Sequence, residues 1–355
     1  EANALGHSCA RVCPVWVLCE GACVYHDWQE KPIAIARLQR HATDAVFAAD
    51  VHPFEPGKDN GKRVAIVGAG PDGASCAAYL RRLGFAVTLF EKRELPGGLN
   101  TYGVAEYKMS QPTAVTEMRF LFRLGCDLVT GKEIGRDIPA DDLISDFDAI
   151  FIGIGLSATR SLGLPGEDLP GVWDALSFIE RVKARGGKGV PPSAATVVIG
   201  GGNTAIDAAT QSARAGAPKV TLAYRRGRND MTAYDFEVEL AKADGAVIVT
   251  NAVPKRIIGK KRVEGVEFGK FVIACDRAIV AIGQTKHVAL AKAFGLDLHA
   301  DGRIRVDAAT LATSRSGVFA GGDAVNGGKE VVHAAADGKR AAWGIQRALF
   351  PGRPA

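Results

Sequence analysis

A pair of doubly wound α/β domains is the fold class this sequence predicts, and three observations predict it. Two stretches, RVAIVGAGPDGASCAAYLRRLGFAVTLFEK from Arg63 and ATVVIGGGNTAIDAATQSARAGAPKVTLAYRR from Ala195, each read strand, glycine turn, helix, strand. Two short apolar strands end in glycine, DAIFIGIG (148–155) and RAIVAIGQ (277–284), and each can close a sheet beside one of those units. The chain also has 355 residues, 47% of them hydrophobic and 23% charged, which suffices for two to three soluble domains with buried cores.

Ahead of these units, CARVCPVWVLCEGAC (9–23) gathers four cysteines. Spacing leaves a disulfide knot, a zinc site or another ligand cluster open. A chain with a large core needs no disulfide staples, which favours ligation in a reducing compartment. Cys76, Cys126 and Cys275 stand alone in apolar stretches and read as inert core. PIAIARLQRHATDAVFAAD has helical apolar spacing, and VHPFEPGKDNGK (51–62) is rich in proline, glycine and charge, as linkers are. At the far end, SGVFAGGDAVNGGKE precedes VVHAAADGKRAAWGIQRAL: a buried strand, a Gly-Asp loop and a long helix.

The net charge of +5 is mild, and nothing resembles a nucleic-acid module. No apolar run approaches the ~18 residues that span a membrane. The expectation is a cytoplasmic protein that engages neither nucleic acid nor membrane.

The first glycine turn, Gly68-Ala69-Gly70-Pro71-Asp72-Gly73, fits G-x-G-x-x-G after a strand and at the start of a helix. Its first two glycines permit a tight turn and close approach of a pyrophosphate. The third lets helix and strand pack, and the helix N-terminus offers oriented N–H groups. Glu91 closes the next strand, where a carboxylate can accept from both ribose hydroxyls of an adenosine. Asp72 suits the helix dipole but brings a carboxylate near a pyrophosphate.

The second turn, Gly200-Gly201-Gly202-Asn203-Thr204-Ala205, is the G-x-G-x-x-A variant. After its following strand stand Arg225 and Arg226 in YRRGR, where an acid would otherwise lie. Guanidinium forks pair with a ribose 2′-phosphate that a carboxylate would repel, so NADPH is expected over NADH. Two Rossmann-like sites suggest a flavin and a nicotinamide. In GVFAGGDAV, Gly322 and Asp323 form a tight turn whose carboxylate can hold a ribityl hydroxyl of FAD. The helix beyond can aim its N-terminus at the flavin's pyrimidine edge.

GGLNTYGVAEYKM, VVIGGGNTAIDAA, AYRRGR, AIGQT and AGGDAV together resemble the flavin and NADPH domains shared by dihydropyrimidine dehydrogenase and the glutamate synthase small subunit. The resemblance runs over essentially the whole chain. It implies an NADPH domain (161–284) inserted into an FAD domain (51–160 and 285–355), preceded by part of a helical [4Fe–4S] domain (1–50). It also implies cofactor contacts, residue by residue. Gly68, Ala69, Gly70, Pro71, Gly73, Glu91, Lys92, Gly98, Leu99, Lys108 and Ile134 fall at FAD, as do Gly322 and Asp323. Gly201, Gly202, Asn203, Thr204, Arg225, Arg226, Ala281, Ile282 and Gly283 fall at NADPH. Thr232 stands where one relative has a second phosphate-binding arginine, so Arg226 or Arg228 is expected to substitute.

By the same resemblance, Cys13, Cys19 and Gln39 ligate one [4Fe–4S] cluster and Cys23 the other, while Cys9 is a non-ligand. Spacing alone would have included Cys9, since C-x3-C-P matches a ferredoxin tail. The remaining ligands belong to an upstream C-x2-C-x4-C-x3-C-P segment outside this sequence, so the ligand set in this chain is incomplete.

The function implied is an FAD-dependent NADPH oxidoreductase subunit that passes electrons through FAD and iron–sulfur clusters to a catalytic partner. YGVAEYKM and Gln39 favour a partner of the dihydropyrimidine dehydrogenase type, with the glutamate synthase large subunit as the alternative. No residue need act as a catalytic acid or base, because the cofactor performs the redox step. A disulfide reductase of the thioredoxin reductase kind would need C-x-x-C, which the sequence lacks. A non-catalytic electron-transfer or assembly subunit is the third reading. The join within GVEFGKFVIACD is abrupt for a strand pair in this family.

Overall fold

A computed structural model describes residues 3–184, 186 and 189–352. They fall into two compact units: those within 3–101, 112–156 and 286–352 form the first, and those within 102–111 and 157–285 the second.

The first unit is built on β1 (Arg63–Val67), β2 (Ala86–Glu91), β3 (Cys126–Thr130) and β4 (Ala149–Ile152). The second contributes β5 (Val172–Asp174), β6 (Thr196–Ile199), β7 (Val220–Ala223) and β8 (Ala246–Val249). It continues with β9 (Arg256–Ile258), β10 (Gly265–Phe268), β11 (Phe271–Ala274) and β12 (Arg277–Val280). The chain then returns to the first unit with β13 (Val318–Ala320).

In the first unit the strand order is β13-β4-β1-β2-β3, all parallel. Val64 to Val67 are buried, as a central parallel strand covered on both faces requires. Val64 pairs with Val87 on one side and Ala149 on the other. The helices Pro71–Arg82 and Val331–Leu349 pack closely because Gly338 has no Cβ, which would lie 2.1 Å from the Asp72 carbonyl oxygen. Ser75 Oγ donates to the Ala335 carbonyl at 2.7 Å across the same contact.

The N-terminal cysteine segment clusters with this unit. At the start of the helix Gly6–Val12, Ser8 donates its backbone N–H to Glu117 at 3.0 Å and its hydroxyl to the same carboxylate. Asn100 Nδ2 donates to Ser8 Oγ at 3.0 Å. Burial pushes the Glu117 carboxyl up to about 7.

The second unit repeats the doubly wound plan with order β5-β12-β6-β7-β8, again parallel. An antiparallel sheet, β11-β10-β9, is appended. The abrupt join expected there is a two-residue turn, Gly269-Lys270, between the paired Phe268 and Phe271, with Gly269 at φ +67°. The segments that enter and leave this unit bridge each other at Thr159 and Gln284. Among the described residues no helix is long and apolar enough to cross a membrane.

Residues 102–111 belong to the second unit, and buried polar contacts explain it. Tyr107 Oη donates to Asp207 at 2.7 Å, and Lys108 Nζ sits 2.8 Å from Asp207 and 2.6 Å from Glu237. Lys183 Nζ donates to the Val104 carbonyl at 2.9 Å.

Candidate cofactor sites

Each glycine turn is shaped by a carbonyl oxygen from the neighbouring strand's end. At Gly68 (φ +101°) a Cβ would stand 2.2 Å from the Gly153 oxygen, and at Gly200 it would stand 2.2 Å from that of Ala281. The two turns are anchored alike: Gly68 N–H donates to Phe90 and Gly200 N–H to Ala223. Gly73 lies against the Gly68 carbonyl, where a Cβ would come to 2.1 Å, while the buried Ala205 takes the equivalent place in the second turn. Gly70 and Gly202 cap the helices that follow, and Pro71 occupies the first helical position, where its missing N–H costs nothing.

Around the first turn, the structure gathers most of the residues the sequence assigns to FAD. Glu91 is buried, accepting from Ala69 N–H at 3.0 Å and Arg93 N–H at 2.9 Å, one bond to each oxygen. Each oxygen keeps a lone pair for a ribose hydroxyl. Gly97 donates to the Ala69 carbonyl at 2.7 Å, and a Cβ on Gly98 (φ +54°) would reach Gly70 Cα at 3.0 Å. Leu99 is exposed beside that contact. Lys92 pairs with Glu133 at 3.7 Å, next to the buried Ile134. Asp323 accepts from Lys329 N–H at 3.0 Å, and burial raises its carboxyl. Gly70 is buried, and an added Cβ there would make only ordinary contact, the nearest atom being Asp72 Oδ1 at 3.4 Å. A bare turn at a helix N-terminus, a buried acid at the next strand end and a Gly-Asp loop fit FAD.

Lys108, expected at the flavin, is placed in the second unit between Asp207 and Glu237. Burial depresses its pKa, but the two carboxylates outweigh that and raise it overall. Asp337 was not legible: it accepts the Gly322 N–H at 3.1 Å and so fixes the Gly-Asp loop. A lone acid interrupting the alanines of VVHAAADGK was the available signal.

The second turn has a different lining. Gly201 rests on the Tyr224 ring, which a Cβ would approach to 2.4 Å, and Tyr224 Oη donates to the Asp230 carbonyl at 2.7 Å. Asn203 Oδ1 accepts from Tyr234 N–H at 3.0 Å, and Thr204 is exposed. Arg225 and Arg226 are both exposed, and among the described residues neither makes an ion pair. Arg228 is already paired with Asp235, so of the two arginines expected to substitute at Thr232 only Arg226 is uncommitted. Ala281 is buried, while Ile282 and Gly283 are exposed at the end of β12. A bare turn with two unpaired guanidiniums at the following strand end fits NADPH.

All four N-terminal cysteines are free thiols. Cys13, capping the helix that carries Cys9, donates its backbone N–H to the Cys9 carbonyl at 3.4 Å, and Asn3 Nδ2 donates to Cys9 Sγ at 3.1 Å. Cys19 is exposed and Cys23 buried. The Gln39 amide donates to the Gly6 carbonyl at 2.7 Å. Among the described residues no three His, Cys, Asp or Glu side chains converge as ligands of one metal ion. The cysteine thiols are of the right soft chemistry for iron–sulfur ligation.

Two dinucleotide turns on two doubly wound units define an NAD(P)H-dependent flavoprotein oxidoreductase. Residues 62–338 match the family model described as pyridine nucleotide-disulphide oxidoreductase, and residues 1–51 match that of dihydropyrimidine dehydrogenase domain II, 4Fe-4S cluster. The chain belongs to the pyridine nucleotide-disulphide oxidoreductase family, with a 4Fe-4S domain at its N-terminus. It is 34% identical to the glutamate synthase [NADPH] small chain of Escherichia coli K12, over 98% of this chain and 82% of that one. It is 33% identical to an NAD-dependent dihydropyrimidine dehydrogenase subunit of Salmonella typhimurium, over 98% and 83%. In fold it is similar to Lactococcus lactis thioredoxin reductase, with a TM-score of 0.66 and 24% identity, covering 81% of this chain and 99% of that one.

Proposed function

We propose that this chain is the NADPH-oxidising subunit of a larger enzyme: it takes hydride from NADPH at the second turn's site and delivers electrons to a catalytic partner. FAD bound at the first turn would supply the redox chemistry, accepting a hydride and releasing electrons one at a time. The chain's own part is to bind and orient. Glu91 and Asp323 hold hydroxyls of one dinucleotide, and Arg225 and Arg226 pair with the 2′-phosphate of the other. The observation that carries this reading is the opposite charge at the ends of β2 and β7, a buried carboxylate against two exposed, uncommitted guanidiniums. Supporting it, relatives over nearly the whole chain are named as a small chain and a subunit.

The partner we favour is of the dihydropyrimidine dehydrogenase type, on YGVAEYKM and Gln39. The similarity to the glutamate synthase small chain supports a second reading, a large amidotransferase synthase partner. Adding the purified full-length protein to each candidate partner and assaying NADPH-dependent turnover separates them. Pyrimidine reduction with no glutamate formed is expected. Glutamate formation alone would assign the synthase, and turnover with NADH but not NADPH would refute the coenzyme reading.

A further inference from the structure

Asp72 is the acid that the first turn does not use. It lies on the first turn of the helix Pro71–Arg82 and is fully buried. Its Oδ1 accepts one bond, from Gly73 N–H at 3.0 Å, and among the described residues Oδ2 has no partner. That orphan oxygen points at glycine backbone: a Cβ on Gly322 would come within 2.2 Å of it and one on Gly153 within 3.1 Å. The carboxyl therefore sits between the glycine turn and the Gly-Asp loop, the two elements assigned above to the pyrophosphate and the ribityl chain.

The groups facing Asp72 do not favour a charge. From the Gly-Asp loop comes Asp323, itself near Lys286 and Glu330. From the helix Val331–Leu349 comes Asp337, committed to Gly322 N–H and to Arg340 at 3.4 Å. On its own helix the next neighbour is the buried Cys76. Among the described residues Asp72 makes no ion pair and Oδ2 accepts no hydrogen bond, and the N–H of Gly322, the glycine against Oδ2, is spent on Asp337. A buried charge without a partner neutralises instead. Burial first, and Asp323 second, push this carboxyl up to about 7.

We propose that Asp72 acts as a neutral carboxylic acid in the FAD site, and that losing its proton drives FAD out. The inference rests on the FAD assignment of the first turn. A pyrophosphate at this helix N-terminus brings two more negative charges to a cluster that already holds Asp323 and Asp337, so the dinucleotide and an ionised Asp72 exclude each other. Binding FAD to protein with ionised Asp72 then takes up one proton, which returns to solvent on release. The sign follows. The acid is neutral below its raised pKa, so FAD affinity is full there and falls as pH rises through it, by up to about tenfold per pH unit.

The test is FAD affinity, by fluorescence quenching on apo-protein, between about pH 6 and about pH 8.5 for the native chain, Asp72→Asn and Asp72→Ala. The native chain should lose affinity by up to about tenfold per unit above neutrality, while both variants, neutral at every pH, should stay flat. Calorimetry in buffers of different ionisation heat should find about one proton taken up by the native chain above neutrality, a readout that needs no variant to fold. A flat native profile, zero proton uptake, or an unchanged slope in Asp72→Asn would overturn the proposal while leaving FAD at the first turn. Failure of the native chain to bind FAD even at the acid end would overturn both.

Discussion

The two glycine turns share a backbone and differ in how their charges are kept. Gly68 and Gly200 are held against a strand-end carbonyl in the same way. The first turn's acid, Glu91, is buried and already bonded to one N–H of the turn, Ala69, and to that of Arg93. The second turn's arginines stand in solvent, uncommitted among the described residues. A preformed, desolvated acid costs little to reorganise and suits a resident group. Exposed guanidiniums find their partner only when a ligand arrives, which suits a coenzyme that comes and goes. On the function proposed above, the same architecture would serve retention at one site and exchange at the other.

Five substitutions break or sharpen that contrast. The largest effect is expected at Lys108, the half-buried cation that two buried carboxylates share in the second unit. Lys108→Met would take from the buried Asp207 and Glu237 the cation they share, costing about 3–5 kcal/mol, and thermal unfolding should register it. Next, Gly68→Ala and Gly200→Ala each drive a Cβ into a carbonyl oxygen at 2.2 Å, at about 2–4 kcal/mol. Flavin content should collapse in the first and persist in the second, whose NADPH binding fails instead. Loss of both cofactors in either variant would mean the sites are not separable.

Arg225→Ala should raise the KM for NADPH about 10- to 150-fold, the equivalent of roughly 1.5–3 kcal/mol, with the NADH value nearly unchanged. Equal losses for both coenzymes would show that the arginine does not read the 2′-phosphate. The smallest effect belongs to Arg228→Ala, which removes an exposed pair with Asp235. Stability should move by no more than about 0.5 kcal/mol and the NADPH KM by about twofold at most.

Much of this was legible in the sequence because its signals are local. Each glycine turn, its strand and its charged strand end lie within a few dozen residues, and backbone geometry alone demands glycine at 68 and 200. What escaped was nonlocal and polar. Lys108 reads as one basic residue in EYKM, and nothing nearby shows that its carboxylates come from Asp207 and Glu237. The partition of 102–111 into the second unit depends on that contact. Ser8 meeting Glu117, and Asp337 bracing Gly322, are likewise pairings of distant residues that no periodicity encodes.

The central claim, that one site holds FAD and the other feeds it from NADPH, is tested most directly by an anaerobic titration of the FAD-loaded chain with NADPH. The visible band of oxidised flavin should bleach in proportion to added NADPH, with about one equivalent sufficing for one FAD. Tightly bound FAD that keeps its colour in excess NADPH would contradict the account.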